Sequence, residues 1–410
     1  MTVFNFFNNC ALSIEKYIGG FMGSILDRDI KNSNRKFDIK ALMNMDIKDL
    51  KFNLPQNINF NKVIPEKKKK VVAFDLGSST IKIVEGTYYK NELTIDKYIK
   101  IPAPKDAVID GEIKKDDELA IRISEVLKSN NIKTKHGICT TNSTLIINRE
   151  ILIPKVEEEE MDTVVRYEIQ QYLPINLDDY VIQVTVLNEE KDMNGSDKLN
   201  VRVIAFPDKI AKGYYNLLKK LELEPYTLDV NYNAVNKLVN YIENELEYNS
   251  NDSVAFIDMG ASFITVNIYK DKKLDFTRII KAGGNDINDY LYNLYHRNFE
   301  ECENFKINGI DLLNLNSQEN DSAREIADEW IDKIEKIIQF YRNKNMNTNL
   351  EKIIIFGGCS KLKGFDKYMS EKIGIQTRRI KEVSKMTFKS SDDGEPIDDF
   401  INVIGSVIRL

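Results

Sequence analysis

The chain has 410 residues, of which 42% are hydrophobic and 30% are charged, an ordinary composition for a soluble globular protein of two to three domains. Its formal net charge of -6 disfavours a general nucleic-acid-binding protein. No apolar run approaches the roughly 20 residues that span a membrane, the first residues lack a signal-peptide core, and the four cysteines lack CxxC spacing. We therefore expect a cytoplasmic protein with reduced thiols and no nucleic-acid partner.

The N-terminal arm, residues 1–66, differs from the rest of the chain in charge. Residues 1–70 contain 13 Lys or Arg and 7 Asp or Glu, a net of +6, so the remainder carries -12 (45 against 57). Residues 1–25 place apolar side chains at roughly helical spacing, which favours either an amphipathic helix for a membrane or partner, or a terminal helix packed on its own body. Residues 27–64 are predicted to form a linker. A basic arm on an acidic chain indicates a partner of its own, such as an anionic membrane surface.

From residue 67 onwards, strand and helix patterns alternate, which predicts an α/β fold. Strands are predicted at 71–74, 81–85, 93–101, 181–187 and 200–206. Helices are predicted at 116–130, 157–172, 208–222 and 233–247, and the alternation resumes at residue 253.

An internal repeat is the most informative feature of the sequence. Segments 72–84 and 254–266 each contain an apolar strand, an Asp-x-Gly turn followed by small or hydroxylated residues, and a second strand. In each copy a third candidate strand follows, near Leu93 and near Leu274. Glycine allows a tight reversal, and small residues leave the N–H groups of the turn free for an anion. One such turn is weak evidence, but two in matched context predict a pair of hairpins that grips a polyphosphate across a cleft.

The repeat supplies most of the predicted nucleotide-binding residues. The first hairpin contributes Asp75, Gly77, Ser78, Ser79, Thr80 and Lys82, and the second contributes Asp258, Gly260, Ala261 and Ser262. Asp75 and Asp258 are expected to flank Mg²⁺ through its water molecules, because magnesium dehydrates reluctantly.

Two glycine pairs add to the predicted site. The pair after the buried strand at 353–356 would let a flat ring lie against the backbone, which predicts an adenosine site; a plain strand-to-helix turn is the alternative. The pair within 281–286 precedes a helix, whose N–H groups are expected to meet a phosphate or ribose. The residues assigned on this basis are Gly283, Gly284, Gly357, Gly358, Ser360 and Lys361.

Together these motifs resemble those of the actin-like ATPase superfamily, whose members fold as duplicated ribonuclease H-like domains around a nucleotide cleft. Asp75–Lys82 resembles the first phosphate motif, Asp258–Thr265 the second, and Gly357 with Gly358 the adenosine motif, in the expected order. Within the superfamily, segments 168–174 and 400–410 resemble those of the PilM family of type IV pilus assembly proteins, which is related to FtsA.

The resemblance implies that the chain binds ATP and Mg²⁺ at the inner face of the cell membrane and recruits a PilN-like inner-membrane protein through that protein's short cytoplasmic N-terminus. Contacts with other pilus platform or motor components, and a homo-oligomer or ring, are also expected. The implied division is an extra N-terminal arm (1–66), subdomain 1A (67–152 and 208–251), an inserted subdomain 1C (153–207), domain 2 (252–400) with a 2B-type insertion at about 284–345, and a C-terminal helix (401–410).

Hydrolysis of ATP is expected to be slow or absent. Relatives carry a Glu or Gln that orients the attacking water between the two phosphate motifs, and the matching position here is Asn231. An amide can hydrogen-bond a water molecule but cannot take its proton. Asp229 is the nearby carboxylate, and we expect it to cap the helix that follows.

Two other functions of this fold stay open. A polymerising cytoskeletal ATPase like FtsA or MreB is possible because subunit contacts cannot be deduced from one sequence. A small-molecule kinase would need a carboxylate base in a substrate pocket, and we find no such motif.

The arm also contains a segment that resembles a partner motif. Leu50–Pro55 resembles the string with which PilN proteins begin, so we hypothesise that residues 50–60 occupy the PilN groove when the partner is absent. A coincidental match within a linker is the alternative.

Overall fold

The computed structural model describes residues 68–172, 175–192, 195–242, 252–296, 298–314, 317–345, 349–380, 383, 385–389 and 397–409. The predictions made for the arm, including its apolar stripe and residues 50–60, lie outside the described residues. Among the described residues, no helix has the length and apolar character needed to cross a membrane.

Strands run through most of the described chain. In chain order they are β1 (Lys70–Leu76), β2 (Thr80–Tyr89), β3 (Glu92–Pro102), β4 (Val108–Ile109), β5 (Glu112–Ile113), β6 (His136–Thr141), β7 (Ile147–Pro154), β8 (Tyr180–Lys191), β9 (Asp197–Pro207), β10 (Glu224–Val230), β11 (Ser253–Met259), β12 (Ile264–Lys270), β13 (Lys273–Ile280), β14 (Leu350–Phe356), β15 (Gln376–Arg379) and β16 (Thr387–Phe388).

Helices connect and cover these strands. They are α1 (Asp116–Ser129), α2 (Glu158–Tyr172), α3 (Asp208–Lys220), α4 (Asn231–Tyr241), α5 (Gly284–Tyr295), α6 (Phe299–Gly309), α7 (Gln318–Lys344), α8 (Phe365–Ile373) and α9 (Ile401–Val407). Several begin with acidic residues, such as the three in the first turn of α1, because the helix dipole favours negative charge there.

The two main sheets repeat one topology. The first has the strand order β10-β6-β1-β2-β3-β16 and the second β13-β12-β11-β14-β15. In each, the central strand, β1 or β11, pairs antiparallel with the next strand along the chain and parallel with a later one. Both central strands are apolar and almost wholly buried, as strands covered on both faces must be. The repeat in the sequence is therefore a repeat of whole sheets, and the predicted actin-like α/β fold is confirmed.

A small antiparallel sheet, β7-β9-β8, stands apart from the two large sheets and has its own apolar core with α2. The predicted hairpin of strands 181–187 and 200–206 is present within it as β8 and β9. Ile147 of β7 already pairs with Ala205 of β9, so this sheet begins earlier in the chain than residue 153.

The last helix, α9, packs inside the first half of the molecule. Phe400, Ile404 and Val407 belong to the same buried apolar cluster as β1 and α4. A Cβ on Gly405 would overlap the carbonyl oxygen of Ala234 in α4, so only glycine allows the two helices to cross this closely. The C-terminal segment is thereby fixed to the first sheet while its beginning reaches the edge of the second.

Candidate functional site

The two predicted hairpins have the same turn geometry. In the first, the Gly77 N–H donates to the Thr80 carbonyl at 3.0 Å; in the second, the Gly260 N–H donates to the Phe263 carbonyl at 3.0 Å. A Cβ would lie 2.8 Å from the Thr80 oxygen in one and 2.7 Å from the Phe263 oxygen in the other. Both turns therefore need glycine for the same steric reason, and each follows the central strand of its sheet.

The tips of the two hairpins meet across a cleft. Ser78 Oγ and Ser262 Oγ lie 2.9 Å apart. Beside them, Asn142 Nδ2 donates to Thr265 Oγ1 at 3.0 Å, which joins the loop after β6 to the second strand of the second hairpin. The fold thus brings the two copies of the repeat together, as the sequence analysis expected, while Asn142 is a cleft residue that it missed.

The charges of three carboxylates act on the Lys82 ammonium. Lys82 Nζ donates to Asp75 Oδ2 at 3.0 Å. Burial lowers the pKa of Lys82, but the charges of Asp75, Asp258 and Asp399 more than offset this effect and hold the pKa above its usual range. Burial also raises the pKa of Asp258 to about 6, against the opposing effects of Lys82 and of a hydrogen bond from Asn402. The Lys82 cation therefore interacts electrostatically with the carboxylates of both hairpins.

The Asp258 carboxylate is held on two sides by residues far along the chain. Asn402 Nδ2, in the first turn of α9, donates to Asp258 Oδ2 at 2.8 Å. A Cβ on Gly357 would lie 2.5 Å from Asp258 Oδ1, and Gly357 has a φ of +89°. Glycine is thus required at position 357 both by backbone conformation and by the neighbouring carboxylate.

Gly358, which follows Gly357 in the predicted glycine pair, has open space beside its backbone. No atom lies within 4 Å of the position that a Cβ on Gly358 would take. Ser360, in contrast, is fully buried, and its hydroxyl donates to the Gly357 carbonyl at 2.7 Å. Gly358 therefore suits a flat ligand surface, whereas the Ser360 hydroxyl stabilises the turn, and the nucleotide contact of both residues stays a prediction.

Lys361 belongs to a buried ion cluster that ties the two halves together. Its ammonium pairs with Asp399 and lies 3.8 Å from Asp398 Oδ1. Lys100 Nζ of β3 donates to Asp399 Oδ2 at 2.8 Å, and Arg379 Nη2 donates to Asp398 Oδ2 at 2.5 Å. Burial raises the pKa of Asp399, but Lys100 and Lys361 more than offset it, so the pKa lies below its usual range. The sequence analysis missed this cluster because its partners are distant in sequence.

The glycine pair before α5 supports the second hairpin. The Gly283 N–H donates to Asp286 Oδ2 at 3.0 Å, and the Gly284 N–H donates to the Gly260 carbonyl at 3.1 Å. The next amide of the helix donates to the Ala261 carbonyl at 2.8 Å. These N–H groups have protein partners and support the second hairpin, and the direct contact of Gly283 and Gly284 with a phosphate or ribose stays a prediction.

A charged pair on α6 lies beside the turn that contains Gly357 and Gly358 and was not anticipated. Lys306 Nζ donates to Glu303 Oε2 at 2.6 Å and to the Gly284 carbonyl at 3.3 Å. A Cβ on Gly284 would lie 3.0 Å from Lys306 Nζ and 3.4 Å from Cys359 Sγ, so this pair adjoins the turn that contains Gly358. Glu303 is partly exposed there and carries free hydrogen-bonding capacity towards solvent.

Asp229 and Asn231, the two catalytic candidates, differ in their burial and in their hydrogen-bond partners. Asp229 is buried; its Oδ2 lies 2.7 Å from Lys237 Nζ, and its Oδ1 accepts from Asn233 Nδ2 at 2.7 Å. Asn231 stands at the start of α4 and accepts from Thr140 Oγ1 at 2.8 Å. Asp229 is therefore committed to structural partners near the helix start, while Asn231 is partly buried and contacts Thr140 at the end of β6.

Two sheets of one topology, each bringing an Asp-containing hairpin to a shared cleft, define the class of actin-like ATPase folds. The model of the family "Type IV pilus assembly protein PilM" matches residues 73–399. The chain therefore belongs to the PilM family.

One solved structure shares the fold, and two others are similar at lower TM-scores. The PilM-PilN type IV pilus biogenesis complex matches with a TM-score of 0.70 and 19% identity, over 82% of this chain and 97% of that chain. The ethanolamine utilization protein EutJ from Carboxydothermus hydrogenoformans has a TM-score of 0.47 and 15% identity, over 84% and 90% of the two chains. MreB 5 of Spiroplasma citri, bound to AMPPNP, has a TM-score of 0.43 and 12% identity, over 83% of this chain and 96% of that chain.

Proposed function

We propose that this chain binds ATP with Mg²⁺ between its two hairpins and acts as a cytoplasmic scaffold of the type IV pilus platform. The observation that carries the ATP proposal is the matched turn geometry of the hairpins, whose tips meet at Ser78 and Ser262. Two anion-binding turns that face one another fit a chain of phosphates better than a single phosphate. Membership of the PilM family supports the pilus part of the proposal.

The residues around the cleft suggest how each part of the nucleotide is held. The hairpin turns at 77–80 and 260–263 offer backbone N–H groups and hydroxyls to the phosphates, and Lys82 offsets their charge. The open backbone at Gly358 accepts the face of the base. Glu303, beside this element, accepts hydrogen bonds from ribose hydroxyls.

The donor set also fits a hydrated Mg²⁺. Among the described residues, no group of three or more His, Cys, Asp or Glu side chains is arranged to hold a metal ion directly. Asp75 and Asp258 instead offer one carboxylate from each hairpin, and within the described part of the chain the buried Asn402 Oδ1 atom has no hydrogen-bond partner. Acceptors of this kind suit the water shell that Mg²⁺ retains, and the bound ion would screen the phosphate charge.

The proposed partner is a PilN-like inner-membrane protein, captured through its short cytoplasmic N-terminus. This places the chain at the inner face of the cell membrane, in contact with other platform or motor components and assembled as a homo-oligomer or ring. The scaffold role agrees with an amide at position 231, which can hydrogen-bond a water molecule but cannot take its proton, so we expect slow hydrolysis at most.

Isothermal titration calorimetry of the full chain tests both parts of the proposal. We expect saturable binding of Mg-ATP, and separately of a peptide that comprises the N-terminal segment of a PilN-like inner-membrane protein. A peptide of the same composition in scrambled order is the control. Absence of Mg-ATP binding overturns the nucleotide proposal, and equal binding of the two peptides overturns the recruitment proposal.

A further inference from the structure

The C-terminal segment, residues 397–408, touches both halves of the molecule and the second hairpin. Its first residues are clamped to the second sheet, where the Gly357 N–H donates to the Asp398 carbonyl at 3.0 Å. Its last residues are fixed in the first half, where Lys237 Nζ donates to the Ile408 carbonyl at 3.0 Å. Asn402 lies between these two anchors.

The Asn402 side chain is held by a hydrogen bond as well as by burial. It is 4% exposed, and its single hydrogen bond goes to the Asp258 carboxylate, at 2.8 Å. A charged acceptor makes such a bond stronger than one between neutral groups. Hydrogen bonds to the Asp398 and Ile408 carbonyls fix the backbone on both sides of Asn402, so α9 keeps its position when the Asp258 carboxylate changes orientation.

The Asp258 carboxylate is attracted both by the Lys82 cation and by the Asn402 amide, so its orientation depends on which of them holds it. The Lys82 cation acts on Asp258 as well as on Asp75, with which it forms a hydrogen bond. Gly357 leaves room for the carboxylate but offers it no side-chain donor. Without the Asn402 amide, Asp258 is free to turn towards Lys82 and away from a position that faces a hydrated metal ion.

We propose that Asn402 is a positioning residue for the nucleotide-bound metal: it holds the Asp258 carboxylate in the orientation that accepts hydrogen bonds from the water shell of Mg²⁺. This inference rests on the proposed function, because it assumes that Mg-ATP binds in the cleft. It adds a role for the C-terminal helix, which couples the metal side of the cleft to the core of the first half through Asn402.

The test compares nucleotide affinity with and without metal in full-length variants. Asn402→Ala removes the donor, and Asn402→Leu removes it while preserving most of the buried volume. We expect each to weaken Mg-ATP binding about tenfold, as loss of a hydrogen bond to a charged group does. Binding of ATP in EDTA should change by less than about twofold, because Asp258 acts through the metal.

A matched control and a double-mutant cycle separate positioning from a general loss of structure. Ser406 is buried on the same helix and donates to the Val403 carbonyl at 2.7 Å, away from Asp258, so Ser406→Ala should leave both affinities unchanged. In an Asp258→Ala background, Asn402→Ala should add less than about twofold to the loss of Mg-ATP affinity, because the two residues act as one unit.

The outcomes distinguish the two proposals. If the unsubstituted chain binds no Mg-ATP, the proposed function fails and this inference fails with it. If the chain binds Mg-ATP but both Asn402 variants lose the same affinity with and without metal, or lose none, the positioning role alone is overturned. Additive losses in the Asp258→Ala background lead to the same conclusion.

Discussion

Ser78 and Ser262, one from each copy of the internal repeat, place their hydroxyl oxygens 2.9 Å apart across the cleft. A phosphate oxygen that accepts a hydrogen bond from both would separate these oxygens to roughly 5 Å. We therefore predict that nucleotide binding moves the hairpin tips apart. In a Ser78→Cys, Ser262→Cys variant, an oxidant should form a cross-link readily in the nucleotide-free protein, and saturating Mg-ATP should slow it by about fivefold or more.

Non-reducing electrophoresis measures this cross-link, and each single cysteine variant serves as a control for pairing with native thiols. Cys139, Cys302 and Cys359 are buried free cysteines, so the engineered pair should dominate the reaction within the described residues. Cross-linking at the same rate with and without Mg-ATP contradicts the prediction.

The Asp258 carboxylate provides a second prediction. Asp258→Ala removes an acceptor for the metal-bound water molecules and should weaken Mg-ATP binding by about tenfold or more, roughly 1.4 kcal/mol. Asp289→Asn, an exposed change on α5, is the matched control. Calorimetry that finds equal affinities for the two variants would count strongly against placing the metal between the hairpins.

The sequence predicted the hairpins well and their cross-cleft partners poorly, for a physical reason. The Asp-x-Gly turns depend on residues within a few positions, such as Gly77 and Thr80, so their pattern can be recognised locally. Asn142 and Asn402 become site residues only because β6 pairs beside β1 and α9 packs on α4, and neither event leaves a local signal. The amides of Gly284 and Asn285 donate to the second hairpin, another long-range pairing that leaves no local signal in the sequence.

The buried ion pair of Asp229 and Lys237 allows a test of whether Asp229 is a structural or a catalytic residue. Asp229→Asn leaves Lys237 as an uncompensated buried charge and should lower the free energy of unfolding by about 3–5 kcal/mol. The residual turnover per folded molecule should stay unchanged, and turnover of the unsubstituted chain should stay below about one per second. Chemical denaturation and a phosphate-release assay measure the two quantities.

Asp116→Asn is the control for this pair, because Asp116 pairs with Lys220 at the surface and its loss should change stability little. If Asp229→Asn abolishes a measurable turnover while the variant stays folded, Asp229 is catalytic and the structural assignment is wrong.

Two glycines should respond in opposite ways to the same substitution. Gly405→Ala forces a methyl group into the Ala234 carbonyl and should cost about 1–3 kcal/mol or more in the free energy of unfolding. Gly358→Ala has space for the methyl group and should leave stability unchanged, but it should weaken ATP binding by about fivefold, roughly 1 kcal/mol, because the methyl group lies where the base is proposed to pack. Thermal unfolding and calorimetry distinguish the two effects, and a Gly358→Ala variant with full ATP affinity contradicts the adenosine assignment.

The basic arm yields a final prediction that depends on the sequence alone, because residues 1–66 lie outside the described residues. If residues 1–25 form an amphipathic helix on the membrane, their apolar positions contribute most of the binding and the Lys and Arg of the arm add attraction to anionic lipids. A full-length Ile18→Asp, Phe21→Asp variant should therefore lose most co-sedimentation with vesicles of phosphatidylcholine that contain about one-third phosphatidylglycerol.

The control variant, Asn8→Asp with Asn9→Asp, adds the same charge to the same segment at polar positions, so it should retain most of the binding. Raising the salt to about 0.5 M should weaken binding of the unsubstituted chain, because surface charges are then screened. Equal binding of the two double variants, or binding that needs no anionic lipid, contradicts the membrane hypothesis for the arm.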